Sequence, residues 1–124
     1  QNLIINELNE NDNSNLKELA SRERRQEENF KSALSTMTEA SISMQELSPE
    51  ASQKLSELVN SELSDFTESS LIEARKELQN ENLNSANNFA SSAHDGLNEI
   101  LSITQNIQSQ FQEDTLNELL LKFL

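Results

Sequence analysis

A single histidine, His94, is the only imidazole that could serve as a general base or a metal ligand at neutral pH. Its neighbour Asp95 cannot orient it as in a serine triad, because adjacent side chains on a helix diverge by roughly 100°. Glu99 does not complete the Glu-x-x-His pattern of di-iron bundles, and cysteine is absent. We therefore expect His94 to be solvated, and we predict no metal and no cofactor.

Carboxylates recur at helical spacing, as Glu23 with Glu27 and as Glu73, Glu77 and Glu81. Residues four apart share one face of a helix. Such a pair could transfer protons if burial raised the pKa of one member. The surrounding sequence is polar and offers no Gly-rich loop that would form a pocket. Both groups are therefore expected to form solvated helix faces, with contact to a divalent ion or a basic partner as the alternative, and the chain is predicted not to be an enzyme.

Arg22, Arg24 and Arg25 form the only basic cluster of the chain. They lie where Glu23 and Gln26 interrupt a heptad-like apolar seam, and a polar layer in such a seam can fix register or partner at a cost in stability. The cluster could bind an acidic partner or a neighbouring chain. The alternative is a set of ion pairs with nearby acids on the same helix. These acids are Glu18, Glu27 and Glu28.

The last apolar stretch is the strongest candidate for partner binding. Thr115 and Glu118 resemble a capping box, which predicts a separate, short amphipathic helix over residues 114–124. Its apolar side comprises Leu116, Leu119, Leu120 and Phe123. This stripe is expected to dock on its own bundle, on a partner's groove or on a membrane interface. The membrane is the least favoured, because Lys122 is the only cation there.

Net charge and composition limit the class of partner. A formal charge of −13 disfavours nucleic acid and anionic membranes, which both require a basic surface. It favours a protein partner, with a basic one fitting best, or simply solubility. No apolar run is long enough to span a bilayer. The compartment stays open, with the cytoplasm as the default and secretion as an alternative.

One glycine and one proline in 124 residues indicate an all-α chain, because sheets and loop-rich folds need both residue types for turns. The chain has five Phe, no Trp and no Tyr, so its core should be thin. We predict an elongated, antiparallel, coiled-coil-like helical bundle with three long helices and a short C-terminal helix. Partner helices are expected to supply missing apolar surface.

Helix boundaries follow from the capping residues. Ser48 as N-cap, Pro49 at the first helical position and Glu50 in the first turn predict a firm helix start. The Asn-rich stretch 80–88 is either a turn or a weak part of one long helix. Gly96 lies within the seam and is predicted to be a close-packing or slightly weakened position inside a helix and not a helix end. The predicted segments are an apolar segment with a polar break over 1–14, a bundle over 15–112 with helices at about 15–47, 49–80 and 84–112, and the helix 114–124.

These observations favour a non-catalytic assembly or protein-interaction module. The chain begins at Gln1 and ends in an apolar run, so we expect an oligomerising segment of a larger stalk-like or scaffold protein. The alternative is a monomeric acidic binding module, an adaptor or a secreted inhibitor, that presents its acidic face or its C-terminal helix to a protein.

Overall fold

The computed structural model describes the backbone of residues 2–124 and the side chains of residues 15–124. Within that range the chain forms four helices and no strand, so the all-α prediction is confirmed. The helices are α1 (Asn2–Ser43), α2 (Pro49–Val59), α3 (Glu62–Gln79) and α4 (Leu83–Phe123). The predicted apolar cluster before residue 15 lies outside the described side chains.

The four helices make three antiparallel legs, with α2 and α3 in series as the middle leg. Near one end of α1, Ser52 Oγ of α2 donates to the carbonyl of Ser41 at 2.5 Å. Farther back along α1, Arg75 of α3 pairs with Glu27. The middle leg also packs along α4, and among the described residues the contact between α3 and α4 is the most extensive one between two helices. The predicted antiparallel bundle is therefore present.

The corner between α1 and α2 has the boundary that the sequence predicted. Helix α2 begins at Pro49, with Ser48 at the N-cap position and Glu50 in the first turn. Ser48 makes no side-chain capping hydrogen bond. Its buried hydroxyl donates instead to Asp114 of α4, which joins this corner to the third leg. Helix α1 ends at Ser43, a turn earlier than predicted.

The predicted helix over 49–80 is wrong in one respect, because it is broken at Asn60 and Ser61. Ser61 is the N-cap of α3 and accepts a hydrogen bond from the Ser64 N–H at 3.2 Å. The hydroxyls of Ser61 and Ser64 both donate to the carbonyl of Leu58 at 2.6 Å. The two hydroxyls thus form hydrogen bonds with backbone groups that would be paired with one another in a continuous helix, and this stabilises the break.

The corner between α3 and α4 shows that the Asn-rich stretch begins with a turn. Asn80 is the C-cap of α3, and Glu81 follows in the left-handed region at φ 62°. The N–H of Asn82 donates to the Glu77 carbonyl at 2.8 Å, and that of Glu81 to the Leu78 carbonyl at 3.1 Å. This pair of hydrogen bonds is the Schellman ending of a helix.

Two predicted interruptions are absent. Helix α4 runs unbroken to Phe123, so the separate helix over 114–124 is wrong. Thr115 lies inside α4, and its buried hydroxyl has no hydrogen-bond partner among the described residues. Helix α1 likewise continues through the predicted polar break before residue 15. Cap-forming residues favour a helix start but also fit inside a helix, so tertiary packing decides between the two outcomes.

Small side chains line the interface between α3 and α4. A methyl group at Gly96 would overlap Oγ1 of Thr67 and would lie 3.2 Å from its Cβ, so of the two predicted alternatives Gly96 is the close-packing one. Other small residues of the two helices are also buried, namely Ser64, Ser70 and Ala74 of α3 and Ala86 and Ala93 of α4. Larger side chains enter mainly from the flanks, where Phe30 of α1 packs in the same cluster as Leu55, Leu71 and Ile100. The core is thin, as expected.

Candidate functional site

Large apolar side chains are exposed on the last turns of α4. Asp114 is the last α4 residue with a hydrogen bond to another leg among the described residues. Beyond it lie six exposed large apolar residues, among them Leu121 and Leu124. The other four share one side of the helix, and we call them the distal face: Leu116, Leu119, Leu120 and Phe123. Their exposed fractions run from 48% for Leu119 to 86% for Phe123. The predicted C-terminal site residues thus share one helix surface, and the first expectation for it, docking on its own bundle, is wrong because all four side chains are exposed.

Acidic residues flank the distal face. Glu113 and Glu118 are exposed and Asp114 is half-buried, and we call these three the acidic border. Lys122 is the only cation on this part of α4. The distal face is therefore an apolar surface with a negative margin, which would suit an apolar groove with a positive margin.

A groove between α1 and α3 lies near the α3/α4 corner. Its volume is about 500 Å³. Leu16, Ala20 and Leu78 form its apolar floor, and these three side chains are buried. Its rim contains two exposed cations, Lys17 and Arg24. The other lining residues with described side chains are Ser21, Gln79 and Glu81. We call this cavity the α1/α3 groove.

The three predicted arginines separate in the structure. Arg22 pairs with Glu18 at 3.0 Å on the exposed side of α1, as the same-helix alternative predicted. Arg24 lines the α1/α3 groove. Arg25 is exposed and is not part of the groove lining. Neither Arg24 nor Lys17 has an ion-pair partner among residues 15–124, so both are available to an external carboxylate.

An ion pair between Glu27 and Arg75 is the main charged feature that sequence reasoning missed. Arg75 Nε donates to Glu27 Oε2 at 2.5 Å and its Nη2 to Oε1 at 3.4 Å. The two side chains are only 8% and 17% exposed. Arg75 Nη1 also donates to Gln79 at 3.2 Å. This bidentate contact holds α1 and α3 in one register.

The predicted polar layer at Glu23 and Gln26 is therefore partly wrong, because Gln26 is exposed and Glu27 is buried instead. A signal was present in the sequence. Glu27 falls in phase with Leu16, Ala20 and Phe30, and Gln26 does not.

Glu23 and Glu27 do not form the solvated face that was predicted. Glu23 is half-buried, and its pKa is raised first by burial and second by the charge of Glu27 one turn away. A carboxyl with a raised pKa can hold a proton, which is the chemistry expected of a general acid. Neither residue lines the α1/α3 groove, the groove of about 360 Å³ between α2 and α4, or the groove of about 570 Å³ between α1 and α2.

The other candidate residues lie apart from one another. His94 is exposed, and its Nε2 lies 3.1 Å from the side-chain amide of Asn98 on the same helix. Glu73 and Glu77 are half-buried on α3, whereas Glu81 lies past the end of that helix. No group of three potential metal ligands occurs among the described residues. None of the helices in the described part of the chain has the length and apolarity to cross a membrane.

No protein-family model, curated protein or solved structure matches this chain. Its function is therefore argued from its residues and their geometry.

Proposed function

We propose that this chain is a non-catalytic helical assembly module that binds protein through the distal face of α4. The observation that carries the proposal is the exposure of four large apolar residues on a helix that extends past its last hydrogen bond to the bundle. Their spacing is i, i+3, i+4 and i+7, which is the pattern of a helix that docks in an apolar groove.

The energetics of docking support this function. Full burial of a Leu or Phe side chain contributes about 1.5–3 kcal/mol, and four such anchors form a hot spot of useful size. The anchors stand on a helix that is already formed, so little ordering entropy opposes binding. The same surface left in water is a contiguous apolar patch, which monomeric proteins tend to avoid.

The charges around the distal face support a protein with a positive margin as the partner. The acidic border repels nucleic acid and anionic lipid, in line with the net charge of −13. A positively charged rim would steer the encounter and would disfavour acidic competitors. Self-association and binding to a different helical protein both remain within this proposal.

The double substitution Leu119→Ser and Leu120→Ser tests the proposed function. Leu101→Ser is the matched control, because Leu101 is an equally exposed leucine of α4 at 56%. A photo-crosslinking amino acid at position 120, and at position 101 in the control, would identify the neighbour in cells that make the chain. We expect position 120 alone to crosslink to one protein, either a second copy or another chain.

The crosslinked protein would then be purified and its affinity measured. The leucine double variant should bind at least roughly tenfold more weakly than the wild type, since it loses two anchors of 1 kcal/mol or more each. The Leu101 variant should bind like the wild type. Equal binding by all three proteins, or no crosslink specific to position 120, would show that the distal face is not a binding surface.

The alternative function is a monomeric acidic binding module, and the exposed acids around the distal face favour it. It shares the same contact residues but predicts that the purified chain sediments as a monomer at every concentration. The crosslink at position 120 would then contain only a different protein.

A further inference from the structure

We propose that copies of this chain associate head to tail, with the distal face of one copy bound in the α1/α3 groove of the next. The inference rests on the proposed function and names its partner as a second copy. The proposed contact joins the distal face, which is apolar with an acidic border, to the α1/α3 groove, which has an apolar floor and two cations on its rim.

Both surfaces have an apolar centre. The floor of the groove consists of Leu16, Ala20 and Leu78. Its volume of about 500 Å³ lies within the range of pockets that bind ligands, about 300–1,000 Å³. The leucines of the distal face could therefore be covered there, and the floor would lose its remaining contact with water.

The charges of the two surfaces also match. Lys17 and Arg24 on the groove rim lack ion-pair partners among the residues with described side chains. Glu113 and Glu118 of the acidic border would face these two cations. The one acid on the rim, Glu81, has a counterpart in Lys122. In a chain of net charge −13, a rim with two unpaired cations is the surface best suited to an acidic helix.

The two surfaces lie too far apart to meet within one copy. Helix α4 starts at Leu83 beside the α3/α4 corner, where the groove lies, and reaches Leu116 only 33 residues later. A continuous helix of that length spans roughly 50 Å at 1.5 Å per residue. The groove can therefore accept the distal face only of another copy. Such a heterologous contact leaves one groove and one distal face free at the ends, so it builds rings or open strings.

Pairing of two distal faces with each other is the competing arrangement. It would bring two acidic borders together, with only Lys122 of each copy to offset them. Like charges opposed across an interface disfavour the contact. The groove offers opposite charges in place of like ones, so the structure favours the head-to-tail contact.

Sedimentation velocity over a wide concentration range tests the proposal on four full-length proteins. They are the wild type, the distal variant (Leu119→Ser, Leu120→Ser), the groove variant (Lys17→Glu, Arg24→Glu) and a control with the same charge change off the groove (Arg25→Glu, Lys31→Glu). We expect the wild type and the control to form oligomers. The distal and groove variants should have apparent dissociation constants raised roughly tenfold or more. Circular dichroism would confirm that each variant is folded.

Mixing provides the sharper test. The distal variant keeps its groove and the groove variant keeps its distal face, so an equimolar mixture should form a discrete heterodimer at a concentration where neither variant oligomerises alone. Adding Glu113→Lys and Glu118→Lys to the groove variant should restore oligomers by reversing both charges.

A wild-type chain that stays monomeric at high concentration would overturn the head-to-tail proposal. A groove variant that oligomerises like the wild type, or a mixture without heterodimer, would do the same. These outcomes leave the proposed function standing if position 120 still crosslinks to a different protein. Loss of that crosslink as well would remove both.

Discussion

Thr67 and Gly96 bring α3 and α4 together more closely than two ordinary side chains would allow. The Thr67 hydroxyl donates to the Leu63 carbonyl at 2.8 Å on its own helix, and the side chain is fully buried. It fills the space that a side chain at position 96 would occupy. Glycine at position 96 costs the helix about 1 kcal/mol relative to alanine, and the close packing against Thr67 offsets that cost.

Gly96→Ala should therefore destabilise the protein by about 1–3 kcal/mol, because overpacking outweighs the gain in helix propensity. Urea denaturation would measure the loss. Ser91→Ala, at an exposed position of α4, is the control and should be neutral or slightly stabilising. Thr67→Ala in the Gly96→Ala background should recover part of the loss. A Gly96→Ala protein as stable as the wild type would contradict the close packing.

The Glu27–Arg75 pair makes the second prediction at the residue scale. Glu27→Gln should lower the free energy of unfolding by about 3 kcal/mol, because it leaves a guanidinium that is largely buried without its counter-charge. Arg22→Gln, which breaks the exposed pair with Glu18, should change stability by less than about 1 kcal/mol. Similar losses in the two variants would mean that the Glu27–Arg75 pair contributes no more than a surface contact. The double variant Glu27→Leu, Arg75→Met should recover much of the loss, since both charges are then removed.

Glu23 makes the free energy of unfolding depend on pH, and its raised pKa gives the direction of that dependence. Burial raises the pKa of Glu23 in the folded state above its ordinary value of 4.5, so the folded protein binds this proton more tightly than the unfolded chain. The resulting stabilisation is complete below pH 4.5 and is lost as the pH rises through the folded-state pKa.

Glu23→Gln should accordingly be more stable than the wild type at pH 7, where the wild type holds a half-buried charge. The difference should shrink as the pH falls towards 4. Thermal unfolding of both proteins across that range would measure it, and subtraction removes the contribution of every other carboxyl. A difference that does not vary with pH would show that the pKa of Glu23 is not raised.

At the scale of helices, the sequence predicted the fold class, the antiparallel order and the start of α2, because these follow from composition, periodicity and the Ser48-Pro49 pair. It did not predict the break at Asn60, nor the continuity of α4 through Thr115. Ser61 and Thr115 are both cap formers, but Ser61 caps α3 by accepting from the Ser64 N–H, whereas Thr115 lies inside α4. Single-helix patterns do not contain that information.

The candidate site was likewise predictable from the sequence only in part. The four residues of the distal face could be placed on one helix surface because they share one periodicity, but the separate helix and its docking on the bundle were wrong. The α1/α3 groove and the Glu27–Arg75 pair were missed. They combine residues about fifty to sixty positions apart in sequence, and no local spacing indicates which faces of α1 and α3 meet. Arg24 was singled out for its charge, but its place beside Leu78 required the fold.

The Schellman ending of α3 makes a prediction about a helix corner. Glu81 has a φ of 62°, a region that costs a residue with a Cβ roughly 1 kcal/mol and suits glycine. Glu81→Gly should therefore raise the free energy of unfolding by about 0.5–1 kcal/mol. Glu77→Gly, inside α3, is the contrasting control and should lower it by about 1 kcal/mol. Differential scanning calorimetry of both variants would show opposite shifts, and destabilisation by both would contradict the corner geometry.

For the whole molecule, the net charge of −13 should make stability depend on salt. Raising NaCl from about 0.01 to 0.1 M shortens the screening length from about 30 to 10 Å, so repulsion among the acids weakens and the melting temperature should rise. The distal variant is the suitable sample, because it is expected to be monomeric. Repeating the titration near the pI of about 4.3 is the control, where the salt effect should nearly vanish. A melting temperature that falls with salt at pH 7 would contradict this expectation.

The break in the middle leg has a mechanical consequence. Helix α4 crosses the Asn60–Ser61 junction without interruption, with Gln110 hydrogen-bonded to Lys54 on one side and Gly96 against Thr67 on the other. Because α4 contacts both α2 and α3, the angle between α2 and α3 can change only if α4 bends as well. A load applied at the distal end would reach the α3/α4 corner through a single helical backbone. Each copy would be a rigid rod of fixed length, and a head-to-tail oligomer would bend mainly at the contacts between copies.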